Sequence, residues 1–330
     1  MTQGRQNASL IELLADGEWW RGPVLAEKLG VTRAAVSSRV ATLRELGLDV
    51  YSLSGKGYRL ARPLDLLSAP VIEADMEPSV RDALDELIVR EQVDSTNSVL
   101  AGFNDDATRA CLAEYQSAGR GRSGRAWVSP FAANIYLSVA RTVSAPRGPL
   151  GALSLAVGVA LADALAALGV PHIGLKWPND LWIGRSKVGG ILIEHRGETG
   201  GGAHLIVGVG LNVAMNRAQS SAIDQSFTQL SEHLSAFVSR SRLAAICLNA
   251  VMGALVEFES AGFAAFARRW AVYDRVCDQP VRVIESRGEC CGVARGINDD
   301  GSLRIEIDGL GRAVYSGDVS LRLDHSPGFA

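Results

Sequence analysis

A segment of alternating glycine and arginine at residues 119–125 (GRGRSGR) constrains this chain more than any other stretch. The apolar residues 111–115 before it predict a strand that leads into the segment. Glycine allows backbone N–H groups to approach an anion closely, and it leaves a loop free to rearrange. Arginine adds planar, permanently charged donors that match phosphate and carboxylate oxygens. We therefore expect a loop that is disordered when empty and becomes ordered around an anionic ligand.

Length and composition indicate a globular chain of two or three domains, with 330 residues of which 47% are apolar. Because the net charge is −3, any nucleic-acid surface must be local. The five cysteines lack C-x-x-C spacing and the five histidines lack a zinc-binding pattern, which favours free thiols in a reducing cytosol and no metal site built by the protein alone. We see no signal-peptide core and no apolar run of about 18 residues, so we expect a soluble, cytoplasmic chain without a membrane partner.

The N-terminal region carries the pattern of a winged helix-turn-helix. Apolar periodicity predicts three helices, at residues 8–15, 24–29 and 33–46. Gly30 lies in the turn before the third helix, and Thr32 is a suitable N-cap for it. Two short strands follow, joined by a turn with Lys56 at its tip. We place this domain at residues 1–65, with a linker at its end.

The outward face of the third helix carries short polar side chains and two arginines. These are Arg33, Ser37, Ser38, Arg39 and Thr42. Such side chains suit the major groove of DNA, where arginine recognises guanine and also contacts phosphate. We expect them to bind DNA together with Lys56 of the wing. A helical module that binds another protein is the alternative.

The following region mixes helical and strand patterns. Helices are predicted at 75–87, 98–103 and 151–168, and strands at 89–93 and 134–140. Asp94, Ser95, Thr96 and Asn97 stand at a strand-to-helix junction, which offers hydroxyl and amide groups to a polar ligand. Simple N-capping of the helix is the alternative explanation.

The glycines at 119, 121 and 124 formally match the G-x-G-x-x-G pattern of dinucleotide-binding loops. The match fails because the loop leads into Trp127 and Pro130 rather than into a long helix, and because its variable positions are arginines. An acidic residue suited to a ribose is also missing at the expected distance. A Walker A phosphate loop is likewise not found in the sequence.

Residues 176–180 (KWPND) place a cation, an aromatic ring, an amide and a carboxylate close together. Asp180 is a candidate to hold Mg²⁺ with nucleotide phosphates, or to accept a hydrogen bond from a ribose or a ligand N–H. A purely structural turn is the alternative at this stretch.

Lys187 begins a predicted strand that contains two glycines, so a ligand can approach the backbone there. A lysine in that position suits an anionic oxygen that develops during acyl transfer, whereas a solvated lysine is the alternative. The strand at 205–212 is apolar, and its glycines leave room for a flat ligand next to Asn212.

Several of these motifs occur together and in order: 94–97, 114–116, 119–125, Trp127, 176–180, 187–194 and 208–212. Together they closely resemble biotin–protein ligases. With a winged helix-turn-helix in front, the chain resembles the bifunctional bacterial form that also represses the biotin operon. The resemblance implies an α+β protein with a DNA-binding domain at 1–65, a central mixed-sheet domain of the biotin/lipoate ligase type at 66–274, and a small SH3-like β-barrel at 275–330. Five short strand patterns after Pro280 agree with the barrel.

The resemblance also implies a two-step reaction with biotin, ATP and Mg²⁺. Biotin and MgATP give biotinyl-5′-AMP, and a lysine of the biotin carboxyl carrier protein of acetyl-CoA carboxylase then attacks this mixed anhydride. The adenylate bound to the protein would promote a homodimer that binds operator DNA.

The resemblance assigns roles residue by residue. The expected biotin-binding residues are Ser95, Thr96, Asn97, Gln116, Gly119, Arg120, Gly121, Arg122, Lys187, Gly190, Gly208 and Gly210. The expected ATP- and adenylate-binding residues are Arg120, Arg122, Arg125, Trp127, Asn179, Asp180 and Asn212. The expected catalytic residues are Arg122, Lys187, Lys176 and Asp180.

Three other functions remain open from the sequence. A lipoate ligase fits the arginine-rich loop and the winged domain poorly. A ligand-sensing repressor without catalysis would not need to retain the cations and the carboxylate of the site. A ligase that has lost its DNA-binding function is the third.

Overall fold

The computed structural model describes residues 9–143, 148–196, 203–285, 288–316 and 320–323. It contains an N-terminal helical head, a central seven-stranded sheet packed with helices, and a C-terminal five-stranded antiparallel sheet. This is the α+β architecture that the sequence predicts. Ala8, at the predicted start of the first helix, lies outside the described residues.

The head is a winged helix-turn-helix, as predicted. Its elements are α1 (Leu10–Leu14), α2 (Gly22–Leu29), α3 (Arg33–Glu45), β1 (Val50–Leu53) and β2 (Gly57–Leu60). Gly30 ends α2 in the left-handed region with φ 64°, a conformation that glycine adopts without steric cost. The Thr32 hydroxyl then accepts a hydrogen bond from the Ala35 N–H and caps α3. These two residues set the turn between the helices.

The head has its own apolar core, and one side chain of the central region is part of it. Phe131 is 1% exposed and packs with the buried residues of α1, α2 and α3. Tyr115 and Ala132 lie at the edge of the same cluster. Since Phe131 closely follows the 119–125 loop in sequence, the segment that leaves this loop is anchored in the head.

The central region begins with two short helices and then forms the large sheet. Its helices are α4 (Ala69–Ala74), α5 (Pro78–Ala83), α6 (Thr96–Ala101), α7 (Leu153–Ala167), α8 (Arg217–Ser220), α9 (Arg240–Ala261) and α10 (Ala264–Tyr273). Its strands are β3 (Glu86–Val93), β4 (Arg109–Gln116), β5 (Ile135–Val143), β6 (Ile173–Lys176), β7 (Asp180–Ile183), β8 (Ser186–Arg196) and β9 (Ala203–Leu211). The strand order is β3-β4-β5-β9-β8-β7-β6, with β3 and β4 parallel and the other pairs antiparallel.

The two faces of this sheet differ in what covers them. On one face, α7 and α9 pack on alternate apolar residues such as Leu137 and Val139. On the other face, α6 packs against β4, β5 and β9. Because strand side chains alternate between faces, Ser138 of β5 points to the α6 side. The α6 side of β5 therefore carries a buried hydroxyl group among its apolar residues.

The helix predicted at 75–87 is wrong. The structure has α4 before it, the short helix α5 within it, and β3 from Glu86 onwards. Pro78 cannot donate a backbone hydrogen bond and is tolerated only at the first helical turn, where α5 begins. Leu84 is extended, and β3 pairs with β4 in parallel. Tertiary pairing thus makes the last two residues of the predicted helix, 86 and 87, part of a strand.

An amphipathic helix is predicted from the sequence at residues 243–259, and it is α9. By length and composition α9 is long and apolar enough to cross a membrane, which differs from the expectation that no apolar run of about 18 residues exists. It is the one such helix among the residues that the structure describes. Most of its residues are buried, and it packs on α7 and β5. Its apolar composition is therefore that of a core helix.

The C-terminal region is a five-stranded antiparallel sheet consistent with the predicted SH3-like barrel. Its strands are β10 (Pro280–Glu285), β11 (Gly288–Ile297), β12 (Leu303–Ile307), β13 (Leu310–Val314) and β14 (Ser320–Leu323). Its apolar residues belong to the same buried cluster as those of the central region. The fully buried Trp177 donates from Nε1 to the Gly301 carbonyl at 3.1 Å, which joins the two regions.

A buried ion pair fixes the linker between the head and the central region. Arg240, at the start of α9, is 3% exposed and contacts the Glu114 carboxylate at 2.6 Å. The same guanidinium donates to the carbonyls of Asp65 and Asn134. Glu114 also accepts from the Leu67 N–H. One cation therefore joins the linker, β4, the segment before β5 and α9.

We predict that Arg240→Gln destabilises the chain by about 3–5 kcal/mol, because the substitution leaves the Glu114 carboxylate buried without its cation. Guanidinium chloride unfolding gives the free energy directly. Arg282→Gln is the matched control, since Arg282 and Glu289 form an exposed pair at 3.7 Å, which is worth about 1 kcal/mol or less. Equal losses in the two variants would contradict the role of Arg240.

Candidate functional site

A cavity of about 660 Å³ lies where the N-terminus of α6, the end of β4, and strands β8 and β9 meet. Its volume falls in the range of small-molecule sites, roughly 300–1,000 Å³. Most of the predicted site residues line it: Ser95, Thr96, Asn97, Gln116, Arg120, Gly121, Arg122, Arg125, Trp127, Asn179, Lys187, Gly190, Gly208 and Gly210. The fold thus brings together residues from five separate stretches of sequence. Four other predicted residues lie behind or beside this wall: Gly119, Lys176, Asp180 and Asn212.

A directed chain of hydrogen bonds orders one end of the cavity. The N–H and hydroxyl of Thr96 both lie within reach of the Gln116 Oε1, at 2.9 and 3.2 Å. The Gln116 Nε2 donates to the Ser129 hydroxyl, which donates to the Trp127 carbonyl. The orientation of the Gln116 amide is therefore fixed from both sides. Ser95 is the N-cap of α6 but makes no side-chain capping bond, so simple capping does not explain it.

Asn97 completes this polar end with two residues that the sequence analysis missed. Its Oδ1 lies 2.6 Å from the Ser138 hydroxyl, and its Nδ2 donates to the Glu194 carboxylate at 2.8 Å. The Ser138 hydroxyl also lies 2.7 Å from the Thr96 Oγ1. A single serine inside the apolar strand β5 was a sequence signal for Ser138. Glu194 belongs to the stretch 187–194 named above, but no role follows for it from the sequence, because its contact with Asn97 depends on how α6 packs over the sheet.

Glycines of β8 and β9 allow side chains to lie directly on the sheet. A Cβ atom at Gly208 would overlap with the Asn97 side chain, and one at Gly210 would overlap with the Trp127 ring. The Trp127 ring also lies 3.4 Å from the Cβ position of Gly190. The sequence predicts room for a flat group here, and in the structure the indole of Trp127 takes that place.

Lys187 and Asp180 form a close ion pair beside the cavity. Lys187 Nζ lies 2.7 Å from the Asp180 Oδ1 and 5.3 Å from the centre of the Trp127 ring. Lys176 Nζ lies 3.8 Å from the other oxygen of Asp180. Burial lowers the pKa of Lys176 to about 8, and the Asp180 carboxylate opposes that shift. Asp180 therefore offers both of its oxygens to lysines.

The arginines of the loop point to different partners. Arg120 donates to the Ser98 hydroxyl at 2.6 Å and lies 3.2 Å from both oxygens of Glu194. Arg122 approaches the Asn179 Oδ1 at 3.5 Å, on the opposite side of the cavity. A backbone hydrogen bond from the Gly121 N–H to the Arg125 carbonyl closes the loop on itself. One arginine therefore anchors the loop, while the next faces the cavity near residues 176–180.

Asn212 lies beside the main cavity rather than in its wall. It lines a smaller cavity of about 60 Å³ next to Trp127, together with residues 222–225. Its Nδ2 donates to the Thr228 carbonyl at 3.1 Å, and the Thr228 N–H donates to the Lys187 carbonyl. Asn212 thus ties the segment 222–228 to the sheet at the side of Lys187. Asp224 and Gln225 of this segment line the main cavity and were not predicted.

Arg322 of β14 also lines the main cavity, and the sequence analysis missed it. Nothing in its local sequence marks it, because its position depends on how the C-terminal sheet packs on the central one. Among the described residues that line the cavity, Arg322 joins Arg120, Arg122, Arg125 and Lys187 to make five cations, against Asp224 as the carboxylate. Such a surplus of positive charge favours an anionic ligand.

The head presents the predicted DNA-binding residues to solvent. Arg33, Ser37, Ser38, Arg39 and Thr42 are exposed on α3, and Lys56 is exposed at the tip of the hairpin. Arg33 and Ser37 line an open groove between α3 and the hairpin, joined there by Arg21. The Thr42 hydroxyl lies 3.3 Å from the Ser38 carbonyl, so it is partly used within the helix.

Aromatic rings lie within cation–π distance of the cations of the wing. Arg59 lies 5.1 Å from the Trp19 ring centre and 5.6 Å from that of Tyr51, and the Lys56 ammonium lies 6.0 Å from Trp19. Within the described part of the head, none of these cations has a carboxylate within ion-pair distance. The positive charge of this surface is therefore not neutralised internally.

Three family profiles cover the chain in the order of its structural regions. The Biotin/lipoate A/B protein ligase family matches residues 89–212, an HTH domain matches residues 5–59, and the Biotin protein ligase C terminal domain matches residues 276–322. The first match contains most of the residues that line the cavity described above.

Curated proteins and solved structures agree with these profiles. The chain is 40% identical to the bifunctional ligase/repressor BirA of Salmonella typhimurium over 95% of this chain and 97% of the relative. It is 34% identical to the biotin–[acetyl-CoA-carboxylase] ligase of Mycobacterium tuberculosis over 79% of this chain and 97% of that protein. The biotin protein ligase of Aquifex aeolicus, solved with biotin and ATP, matches with a TM-score of 0.63 at 27% identity and covers 73% of this chain and 100% of its own.

The full-length match to a bifunctional relative includes the winged head as well as the cation-rich cavity and the C-terminal sheet. The chain therefore belongs to the biotin–protein ligase family, in the bifunctional form that combines a ligase with a DNA-binding repressor.

Proposed function

We propose that the cavity binds biotin and ATP, forms biotinyl-5′-AMP, and transfers biotin to a lysine of the biotin carboxyl carrier protein. The observation that best supports this proposal is that one cavity has two different ends. At one end, polar side chains are hydrogen-bonded to one another, and the adjoining end is rich in cations. The first suits the ureido ring of biotin, and the second suits its carboxylate and the phosphates of ATP.

The polar end favours biotin over lipoate. Thr96, Asn97 and Gln116 are buried and line the cavity with hydroxyl and amide groups, and the Ser138 hydroxyl lies behind Thr96 and Asn97. The dithiolane ring of lipoate has no N–H or C=O group, so it would form no N–H or C=O hydrogen bonds with these side chains. The ureido group of biotin supplies two N–H donors and one carbonyl acceptor.

In the first step, a carboxylate oxygen of biotin attacks the α-phosphorus of ATP. The bond between that phosphorus and the bridging oxygen of the β-phosphate breaks, and pyrophosphate leaves. Negative charge on the phosphate oxygens is stabilised by Lys187 and Arg122, which meet at the cation-rich end. Asp180 holds the Lys187 ammonium in place, and Lys176 adds a second cation behind the same carboxylate.

In the second step, the neutral amine of the carrier lysine attacks the acyl carbon. The bond from that carbon to the phosphate oxygen breaks, AMP leaves, and the amine loses a proton to solvent. This chain therefore has to position the reactants and stabilise the charge on the phosphate oxygens, whereas the carrier protein supplies the nucleophile. Trp127 and the segment around Asn212 cover the side where the adenine is expected.

Magnesium enters this scheme with ATP. Asp180, the sequence-based candidate for Mg²⁺, is already bound by Lys187 and approached by Lys176, so it does not fit as a metal ligand. Among the described residues there is no cluster of three or more His, Cys, Asp or Glu that would hold a metal ion. We therefore derive no step through a protein-bound metal and assign Mg²⁺ to the ATP phosphates.

We predict biotin-dependent exchange of radiolabelled pyrophosphate into ATP, because adenylate formation is reversible before the carrier is added. Lys187→Met should lower this exchange by about 10²–10³-fold, the effect of removing one donor that stabilises transition-state charge. Arg185→Met, on the exposed turn between β7 and β8, is the control and should exchange like the wild type. Exchange that follows lipoate but not biotin would overturn the proposal.

We predict that Arg122→Gly releases the adenylate about ten- to a hundredfold faster, the loss expected for a hydrogen bond to a charged phosphate. The fold should stay intact because Arg122 is partly exposed in the cavity wall and does not belong to the apolar core. The rate is measured by chasing enzyme-bound radiolabelled biotinyl-AMP, and biotinylation of bystander lysines should rise in parallel. Unchanged retention of the adenylate would remove Arg122 from this role.

The repressor function extends from the same adenylate. We propose that the head, placed at residues 1–65, binds operator DNA next to biotin-synthesis genes when the adenylate-bound chain forms a homodimer. The exposed residues of α3 would enter the major groove, and Lys56 with Arg59 of the wing would contact phosphate. The unneutralised charge of the head supports this part of the proposal.

We predict that Arg33→Ala weakens binding of the biotin-operon promoter fragment by about ten- to a hundredfold, while pyrophosphate exchange is unchanged. Fluorescence anisotropy with and without biotinyl-AMP measures the binding, and its salt slope should fall by about one if Arg33 contacts phosphate. Arg268→Ala, exposed on α10, is the control. Binding that ignores both biotinyl-AMP and Arg33 would exclude a repressor role for this surface.

A further inference from the structure

Glu194 connects two parts of the site that are far apart in sequence. It lies on β8, half-buried, beyond the glycines on which the site packs. One of its carboxylate oxygens accepts from the Asn97 Nδ2 at 2.8 Å, and both lie 3.2 Å from the Arg120 guanidinium. Asn97 belongs to the polar end of the cavity and Arg120 to the anion-binding loop. A single carboxylate therefore contacts both.

The carboxylate determines how the Asn97 amide is oriented. An ionised carboxylate accepts hydrogen bonds but cannot donate them, so it must face the NH₂ group of the amide. The carbonyl oxygen of Asn97 is then directed away from Glu194 and towards Ser138. Without the carboxylate, both orientations of the amide would be available, and a ligand would select between them.

Steric contact leaves the amide little other freedom. The Asn97 side chain lies directly on the backbone of Gly208, where any Cβ atom would overlap with it. The amide plane is thus held against the sheet, and rotation by half a turn is its remaining change. That rotation would place its oxygen against the Glu194 carboxylate, which is a repulsive contact.

The Arg120 contact shows that the two loop arginines have different tasks. The Arg120 guanidinium is bound by Glu194 and by the Ser98 hydroxyl of α6. Arg122 instead approaches Asn179 at the cation-rich end. The pair of Arg120 and Glu194 is about 40% exposed, so its contribution to loop closure is modest.

We propose that Glu194 is a positioning residue that makes Asn97 a hydrogen-bond acceptor for a ring N–H of biotin and, through Arg120, holds the anion-binding loop on α6. This deepens the proposed function and rests on it. No group on Glu194 touches the reacting atoms, so its effect is on binding and selectivity rather than on the chemical step.

The test compares biotin with its two cyclic carbamate analogues, in each of which one ring N–H is replaced by oxygen. In the wild type, one analogue places its ring oxygen opposite the Asn97 carbonyl oxygen, so that two hydrogen-bond acceptors face each other. This analogue should support pyrophosphate exchange poorly. Glu194→Gln keeps the shape but lets the Asn97 amide turn, so the preference for biotin over that analogue should fall about tenfold. KM for biotin should rise severalfold with kcat within about twofold of the wild type.

The contact between Glu194 and Arg120 of the anion-binding loop is tested by a separate measurement, the rate of adenylate release. Glu194→Gln should release bound biotinyl-AMP about two- to fivefold faster, as expected for loss of an exposed ion pair of up to about 1 kcal/mol. Glu289→Gln, which removes an exposed carboxylate beside Arg282 in the C-terminal sheet, is the matched control and should change neither quantity. Thermal unfolding of both variants shows whether they are folded.

The outcomes separate the two proposals. No biotin-dependent exchange in the wild type would overturn the proposed function itself. Normal exchange in the wild type, with the same analogue preference in Glu194→Gln, would overturn the role of Glu194 in orienting Asn97. Faster adenylate release without a change in preference would leave Glu194 as a loop contact and would overturn the orientation role.

Discussion

The site depends on direct contact between two side chains and glycine backbone. Asn97 lies on Gly208, and the Trp127 ring lies on Gly210. A Cβ atom at either glycine would push α6 or the anion-binding loop away from the sheet, and the polar end would then separate from the cation-rich end. These contacts also restrict motion: Asn97 can change only by turning its amide, which gives Glu194 its influence. Close packing therefore converts simple polar residues into groups with a defined hydrogen-bond direction.

Electrostatics at the other end of the cavity follow a different principle. Lysines 176 and 187 share the carboxylate of Asp180, and burial lowers the pKa of Lys176 to about 8. The shared carboxylate fixes the Lys187 ammonium without neutralising the surplus charge contributed by the loop arginines and Arg322. A site with cations already in place needs little rearrangement as negative charge develops on the phosphate oxygens. Stabilising this charge is the main requirement when the attacking group comes from a substrate or a carrier protein.

The head is physically continuous with the ligand-binding region. Phe131 is buried in the core of the head, and the same short segment carries Trp127 and Ser129 of the site. On the other side, Arg240 joins the linker to Glu114, which lies on β4 just before Gln116. Two ends of one ligand-binding region are thus fixed to the DNA-binding domain. Buried contacts of this kind do not deform gradually, so the segment that follows the loop and the linker are held firmly against the head.

Local sequence was enough to predict the winged head, most of the secondary structure and most of the residues that line the cavity. Capping residues and apolar periodicity predicted the winged head, and the glycine–arginine loop, residues 176–180 and Lys187 predicted an anion site, because each carries its chemistry locally. Tertiary structure decided the rest. Pairing with β4 made residues from Glu86 onward a strand, against the helical pattern of 75–87. Packing of one region on another brought in Ser138, Glu194 and Arg322, and it placed Lys187 against Asp180. Local sequence specifies which groups a segment carries, whereas the partner that each group meets depends on packing between segments that are distant in the chain.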